Sequence, residues 1–351
     1  MSASLAMGIL AVSLVLTSHA WAFNRVSMVH APISKLDSSS FASSEYWDLY
    51  QSTRAMDSAE FAKATPYLEH ALEANPTNIF ALYNLGLCLL ELSKQEQLDD
   101  ATRRSMLKRS EMLLQRAQML NPDLMVVYFR LGKAALMQEN FDAAAGYYQK
   151  ALELEPNNPV FLFNLASVYD QQERYTESIL LYEKSIHLSP RFVFAYNNLG
   201  LLYEKSNQFK AAEKAYKTAL QYDRSYNFAR LNLGNLYVSQ DKLTQAAEVY
   251  QEALKVEPDN GWAHLYLGNV YFQNQRYDKA LSSYQASIKT NPSYPTTYYL
   301  MALALHKLNR DEEALSCGLK YVSLAPDGRY RQEMMALILS LQLQHVGVQA
   351  P

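Results

Sequence analysis

The sequence predicts an all-α fold, a right-handed stack of helical hairpins, from three observations that share one frame. A proline returns every 34 residues, at Pro122, Pro156, Pro190, Pro258, Pro292 and Pro326, with Arg224 alone out of turn. With that proline as position 32, position 8 holds only small residues: Gly86, Gly132, Ala166, Gly200, Gly234, Gly268 and Ala302. Position 24 holds Tyr148, Tyr182, Tyr216, Tyr250 and Tyr284. A fixed period of this length without strand-like alternation marks a solenoid, in which each unit buries its apolar face against its neighbours.

The elements follow in order. Leu5 to Leu16 is an apolar run followed by Ala20, Trp21 and Ala22 in the small, any, small order of a cleavage site, so residues 1–22 read as a secretory signal. The run is too short to span a bilayer comfortably as a mature helix. Residues 23–44, with Pro32 and the serines Ser38 to Ser40, read as a flexible linker. Repeats then start near residues 45, 79, 125, 159, 193, 227, 261 and 295 and fill 45–328. The first is degenerate, keeping Ala64, Leu68, Ala71 and Pro76 of its second helix. The second carries extra residues near 93–105, which predict a longer, charged hairpin. Small residues at positions 8, 20 and 27 let the two helices approach, and the tyrosine at 24 fills the remaining space. In the eighth repeat Gly318 and Tyr321 exchange the large and small positions. Residues 329–351 supply a capping helix and tail, whose apolar residues wrap further round than one face needs and suggest self-association.

Composition narrows the function. A net charge of −3 and a pI near 6.2 give no concentrated basic character for nucleic acid. Cys88 and Cys317 lie in repeats two and eight and read as small buried residues. No glycine-rich phosphate loop, nucleophile elbow, paired-cysteine metal motif or His-Glu-X-X-His helix occurs, so neither catalysis, metal nor cofactor is predicted. His264 at position 4 reads as a packed hairpin residue. No proline-free Asn-X-Ser/Thr sequon occurs, which favours a bacterial envelope over a eukaryotic lumen for an exported chain.

At 100° per residue, positions 4, 7, 8 and 11 of the first helix share one face, and positions 2, 6, 9 and 13 share the opposite one. The first face packs the hairpin, which leaves the second to line the hollow. Position 6 holds Asn84, Asn164, Asn198 and Asn232, and position 9 holds Asn235 and Asn269. A row of carboxamides can both donate to and accept from an extended peptide backbone. Aromatics flank the row, with Phe80, Phe194, Phe228 and Trp262 at position 2 and Tyr83, Phe129, Phe163 and Tyr299 at position 5. Arg130, Tyr266 and Leu300 interrupt the asparagines.

On these recurrent positions residues 45–328 resemble the tetratricopeptide repeat family. The resemblance implies a right-handed superhelix, an α-solenoid of about eight repeats, with ligands on the inner surface. The asparagine row is similar to the ladder that holds peptide main chain in the repeat region of O-linked N-acetylglucosamine transferases. The carboxylate clamp of some family members, with lysine at 5, asparagine at 9 and 6, then lysine at 2 and arginine at 6, is not supplied by any three successive repeats. The expected function is therefore an exported, periplasmic or secreted adaptor that binds protein or peptide segments in its groove and supports an envelope or secretory assembly. The alternatives are an accessory module that recruits substrates for a separate enzyme, such as a glycosyltransferase, and a structural subunit held to a membrane by an uncleaved N-terminal segment.

Overall fold

The structure is a computed structural model in which residues 44–345 are described, and every regular element among them is a helix. The expected signal segment and nearly all of the linker lie outside the described residues. The chain divides into two compact units, one ending at Pro190 and one beginning at Arg191.

The first unit contains four hairpins: α1 (Ser44–Asp57) with α2 (Phe61–Ala74), α3 (Ile79–Leu92) with α4 (Asp100–Leu120), α5 (Met125–Met137) with α6 (Phe141–Leu154), and α7 (Pro159–Gln171) with α8 (Tyr175–Leu188). The second contains α9 (Val193–Lys205) with α10 (Phe209–Tyr222), α11 (Asn227–Ser239) with α12 (Leu243–Val256), α13 (Gly261–Gln273) with α14 (Tyr277–Thr290), α15 (Pro295–Lys307) with α16 (Asp311–Leu324), and the final α17 (Arg331–His345). Within each unit consecutive helices pack on one another, and successive first helices also touch in the second unit, as α3 and α5 do in the first. Helices of 13 or 14 residues are marginal alone, so this stacking carries the stability.

Both ends of every hairpin have a local cause. In seven of the eight hairpins the first helix closes with a residue in the left-handed region at position 15: Ala59, Glu139, Glu173, Asn207, Asp241, Gln275 and Asn309, each with φ of 56–59°, whereas α3 ends at Ser93 in the right-handed region. The next N–H then reaches back to the carbonyl of position 11, as in Asn140 to Ala135 at 2.9 Å and Arg174 to Tyr169 at 2.8 Å, which satisfies a terminal carbonyl. The second helix stops at position 31, where Glu155, Ser189, Glu257 and Asn291 are extended with φ near −136° because the following proline disfavours the helical region. Asp223 adopts the same conformation before Arg224, although no proline forces it. There the turn is held by Asp223, whose Oδ1 accepts from the Ser225 N–H at 2.8 Å, and by the Arg230 guanidinium, which donates to the Arg224 carbonyl.

The core is a repeated contact between ring and glycine. Tyr148, Tyr216, Tyr250 and Tyr284 lie fully buried against Gly132, Gly200, Gly234 and Gly268 of their own hairpins. A Cβ added at these glycines would sit 2.3 to 2.6 Å from the ring. In the eighth repeat the exchange of sizes moves the ring: Tyr321 packs on Tyr299 at 5.6 Å between centroids, and Tyr299 stacks on Tyr330 at 4.4 Å.

The extra residues of the second repeat form the segment 93–99 and lengthen α4 to 21 residues, with Asp99 capping it by accepting from the Thr102 N–H at 2.8 Å. At the other end α17 buries Met334, Ile338 and Leu341 and leaves Met335 and Leu339 exposed. No described helix is long and apolar enough to cross a membrane.

Candidate peptide-binding face

In the second unit an aromatic residue stands at position 2 of three successive first helices, one turn before position 6 on the same face. Phe194 precedes Asn198, Phe228 precedes Asn232 and Trp262 precedes Tyr266. Phe228 is 40% exposed, and the other five are half-buried.

The rings are fixed by neighbours that the sequence reading left out. Tyr226 lies between Phe194 and Phe228, at 5.3 Å and 5.8 Å between centroids. Tyr294 meets Trp262 edge-on at 4.8 Å, and Tyr266 bridges Trp262 to the buried Tyr250 at 6.2 Å and 5.6 Å. Tyr226 and Tyr294 both occupy position 34, as does Phe192, which packs on Phe194 at 6.0 Å. At Asn78, Asn158 and Asn260 the same position caps the next helix, with the side chain accepting from backbone N–H groups at 2.9 to 3.1 Å. In six repeats position 34 therefore holds either a helix cap or an aromatic buttress, a pattern legible in the sequence, whereas Leu124 and Gly328 supply neither.

The carboxamides are brought together only in part. Asn232 Nδ2 donates to Asn197 Oδ1 at 2.9 Å, and Asn197 Nδ2 donates to Asn198 Oδ1 at 3.3 Å, so a buried asparagine of position 5 links the two. This relay fixes Asn198 and Asn232 in orientation. Asn235 and Asn269 serve the core, each accepting from the tyrosine of its own second helix: Tyr250 at 2.7 Å and Tyr284 at 2.9 Å. In the next hairpin back Glu204 accepts from Tyr216 instead, and burial pushes that carboxyl above its ordinary value against the hydrogen bond.

In the first unit the candidate residues lie deeper. Asn84 and Asn164 are buried, and Asn164 Nδ2 donates to the Val160 carbonyl of its own helix at 2.6 Å. Phe129 and Phe163, expected on the open face, lie inside hairpins against Tyr148 at 6.0 Å and Tyr182 at 5.5 Å. Position 5 turns toward the second helix, which the two-face approximation does not resolve. Phe80 is half-buried against the first core.

No group of metal-ligating side chains occurs among the described residues. Both cysteines are free, and burial pushes the thiol of Cys88 up to about 12 and that of Cys317 up to about 11, so neither is a thiolate near neutral pH.

The tetratricopeptide repeat profile matches residues 129–191, 197–255, 231–295 and 265–329, more than half of the chain, and a second profile of the same description matches residues 67–102. No curated protein matches the chain. Among solved structures, a chain from the functional characterisation of Pseudomonas aeruginosa pilF is 22% identical with a TM-score of 0.53, over 60% of this chain and 96% of that one. A chain of the APC/C hetero-tetramer Cut9–Hcn1 is 15% identical with a TM-score of 0.54, over 93% of this chain and 60% of that one. At these identities the likeness is one of fold.

Proposed function

Because the chain belongs to the tetratricopeptide repeat family, we propose that it is an exported scaffold that holds an extended peptide or protein segment of a partner and so supports an envelope or secretory assembly. The observation that carries this reading is the second unit's row of paired side chains, an aromatic ring followed one turn later by a polar group. Rings that are buttressed yet reach solvent offer apolar side chains a surface without large loss of conformational freedom. Carboxamides held by the Asn232–Asn197–Asn198 relay sit one turn away, where a peptide backbone needs a donor or an acceptor.

The double variant Asn198→Ala, Asn232→Ala is expected to weaken binding about tenfold on an array of extended decapeptides and to reduce pull-down from an envelope fraction. Its folding stability should change by only about 1 kcal/mol, since few hydrogen bonds are lost. A large fall in melting temperature with binding intact would assign these side chains to the fold and remove the reading. Export rests on the apolar run Leu5 to Leu16 and the Ala20-Trp21-Ala22 sequence. N-terminal sequencing of the mature protein should find Phe23 first, and a retained Met1 would contradict cleavage.

A further inference from the structure

The first unit holds a cluster built almost wholly of hydrogen-bond donors. Lys133 of α5 is 7% exposed, and Arg130, one turn earlier, is 3% exposed. Both cations lie over the Phe129 ring, at 5.5 Å and 5.4 Å from its centroid. Arg130 Nε donates to the Tyr83 hydroxyl of α3 at 3.3 Å. On α6 the Tyr148 hydroxyl is buried and has no hydrogen-bond partner among the described residues.

Comparison of equivalent hairpins shows what is missing. Tyr250 and Tyr284 find an acceptor in the asparagine at position 9, Asn235 and Asn269. Position 9 of the α5–α6 hairpin is Lys133, an ammonium with three donors and no acceptor. The carboxylate that acts on Lys133 is Glu91 of α3, and it already accepts from Lys94 at 2.6 Å. Lys133 thus has one carboxylate acting on it, already engaged by Lys94, and the Tyr148 hydroxyl has no acceptor. Buried donors and charges are tolerated when an acceptor of opposite charge completes them.

We propose that Lys133 and Tyr148, with the positive charge of Arg130 beside them, form a recognition position for a carboxylate, presented by an acidic side chain or by the free C-terminus of a bound segment. Its donors come from positions 6, 9 and 24 of a single hairpin, unlike the clamp spread over three repeats. The role in choosing partners rests on the scaffold reading above, whereas carboxylate binding itself does not. Burial, aided by Lys94 and Arg130 and opposed by Glu91, pushes the Lys133 amine down to about 7. The charged groups acting on it are Glu91 of α3, Lys94 of the following segment and Arg130 of its own helix, and Tyr148 of α6 occupies the position that meets position 9 in the equivalent hairpins. A bound carboxylate would hold the proton on Lys133 to higher pH, which gives a direct readout.

The test follows the Lys133 ammonium of the full chain by 13C NMR through pH titrations at matched ionic strength. The probes are N-acetylalanine, with a C-terminal carboxylate, N-acetylglutamic α-amide, with a side-chain carboxylate, and neutral N-acetylalaninamide. At least one carboxylate should raise the Lys133 titration midpoint saturably by about one pH unit, a tenfold preference for the charged amine, and the stronger of the two identifies the source. Tyr148→Phe should weaken that response several-fold. Lys133→Met assigns the signal and should melt no lower than the parent chain, since an apolar side chain replaces a buried charge. If both carboxylates act like the neutral amide, the proposal is overturned. A carboxylate response without decapeptide binding would instead remove the scaffold reading and leave this position standing.

Discussion

Tyr250→Ala is expected to lower the unfolding free energy by about 4 kcal/mol, the range for deleting a large buried aromatic side chain. The ring is 1% exposed and packs between α11 and α12 against Gly234 and Tyr266. Its removal leaves a void and deprives Asn235 of its donor. Tyr250→Phe removes only the hydroxyl and should cost about 1 kcal/mol. Urea unfolding followed by circular dichroism separates the two. A loss near 1 kcal/mol for both variants would mean that the ring contributes through its hydroxyl and that packing is secondary.

For Gly234→Ala two principles predict opposite signs. Helix propensity favours alanine by about 1 kcal/mol in a helix interior. The new methyl, however, would lie 2.3 Å from Tyr250 Cε1 and 2.6 Å from its Cζ, so the fully buried ring would have to shift. Overpacking of this kind costs about 1–3 kcal/mol, and here it should reach the upper end, so a net loss of about 2 kcal/mol is expected. The decisive measurement is a double-mutant cycle, because in the Tyr250→Ala background the clash is gone and Gly234→Ala should become stabilising by about 1 kcal/mol. Additive effects would sink the explanation. The hairpin α7–α8 already has Ala166 opposite Tyr182, but it differs in more than that methyl. Ser178 and Ser185 replace the usual alanines there and donate to the Ala166 and Pro159 carbonyls at 2.7 Å. A single exchange in α11 does not reproduce that set.

The hairpin architecture was legible because proline, small residue and tyrosine recur at one spacing, and each has a steric cause in the structure. The left-handed residue at position 15 was not. Asn207, Asp241 and Asn309 are types that tolerate positive φ, but Ala59, Glu139, Glu173 and Gln275 give no such signal. The candidate face was read through helical angles, which placed Phe228, Asn198 and Asn232 near solvent but could not foresee partners supplied by the second helix. Thus Asn235 and Asn269 belong to tyrosines fifteen residues away, and Phe129 and Phe163 turn inward. Arg130 stood out only as a gap in the asparagine row. Its meaning depends on Tyr83 in the preceding repeat, and one-dimensional spacing does not convey that proximity.

Each tyrosine and the glycine it presses upon lie in the same hairpin, sixteen residues apart along the chain, as with Gly132 and Tyr148 or Gly268 and Tyr284. A tandem duplication of one 34-residue stretch therefore copies both halves of the fit together, and the array can be extended without a matching change anywhere else. Half a period cannot be copied on those terms, since it would bring a ring without its seat.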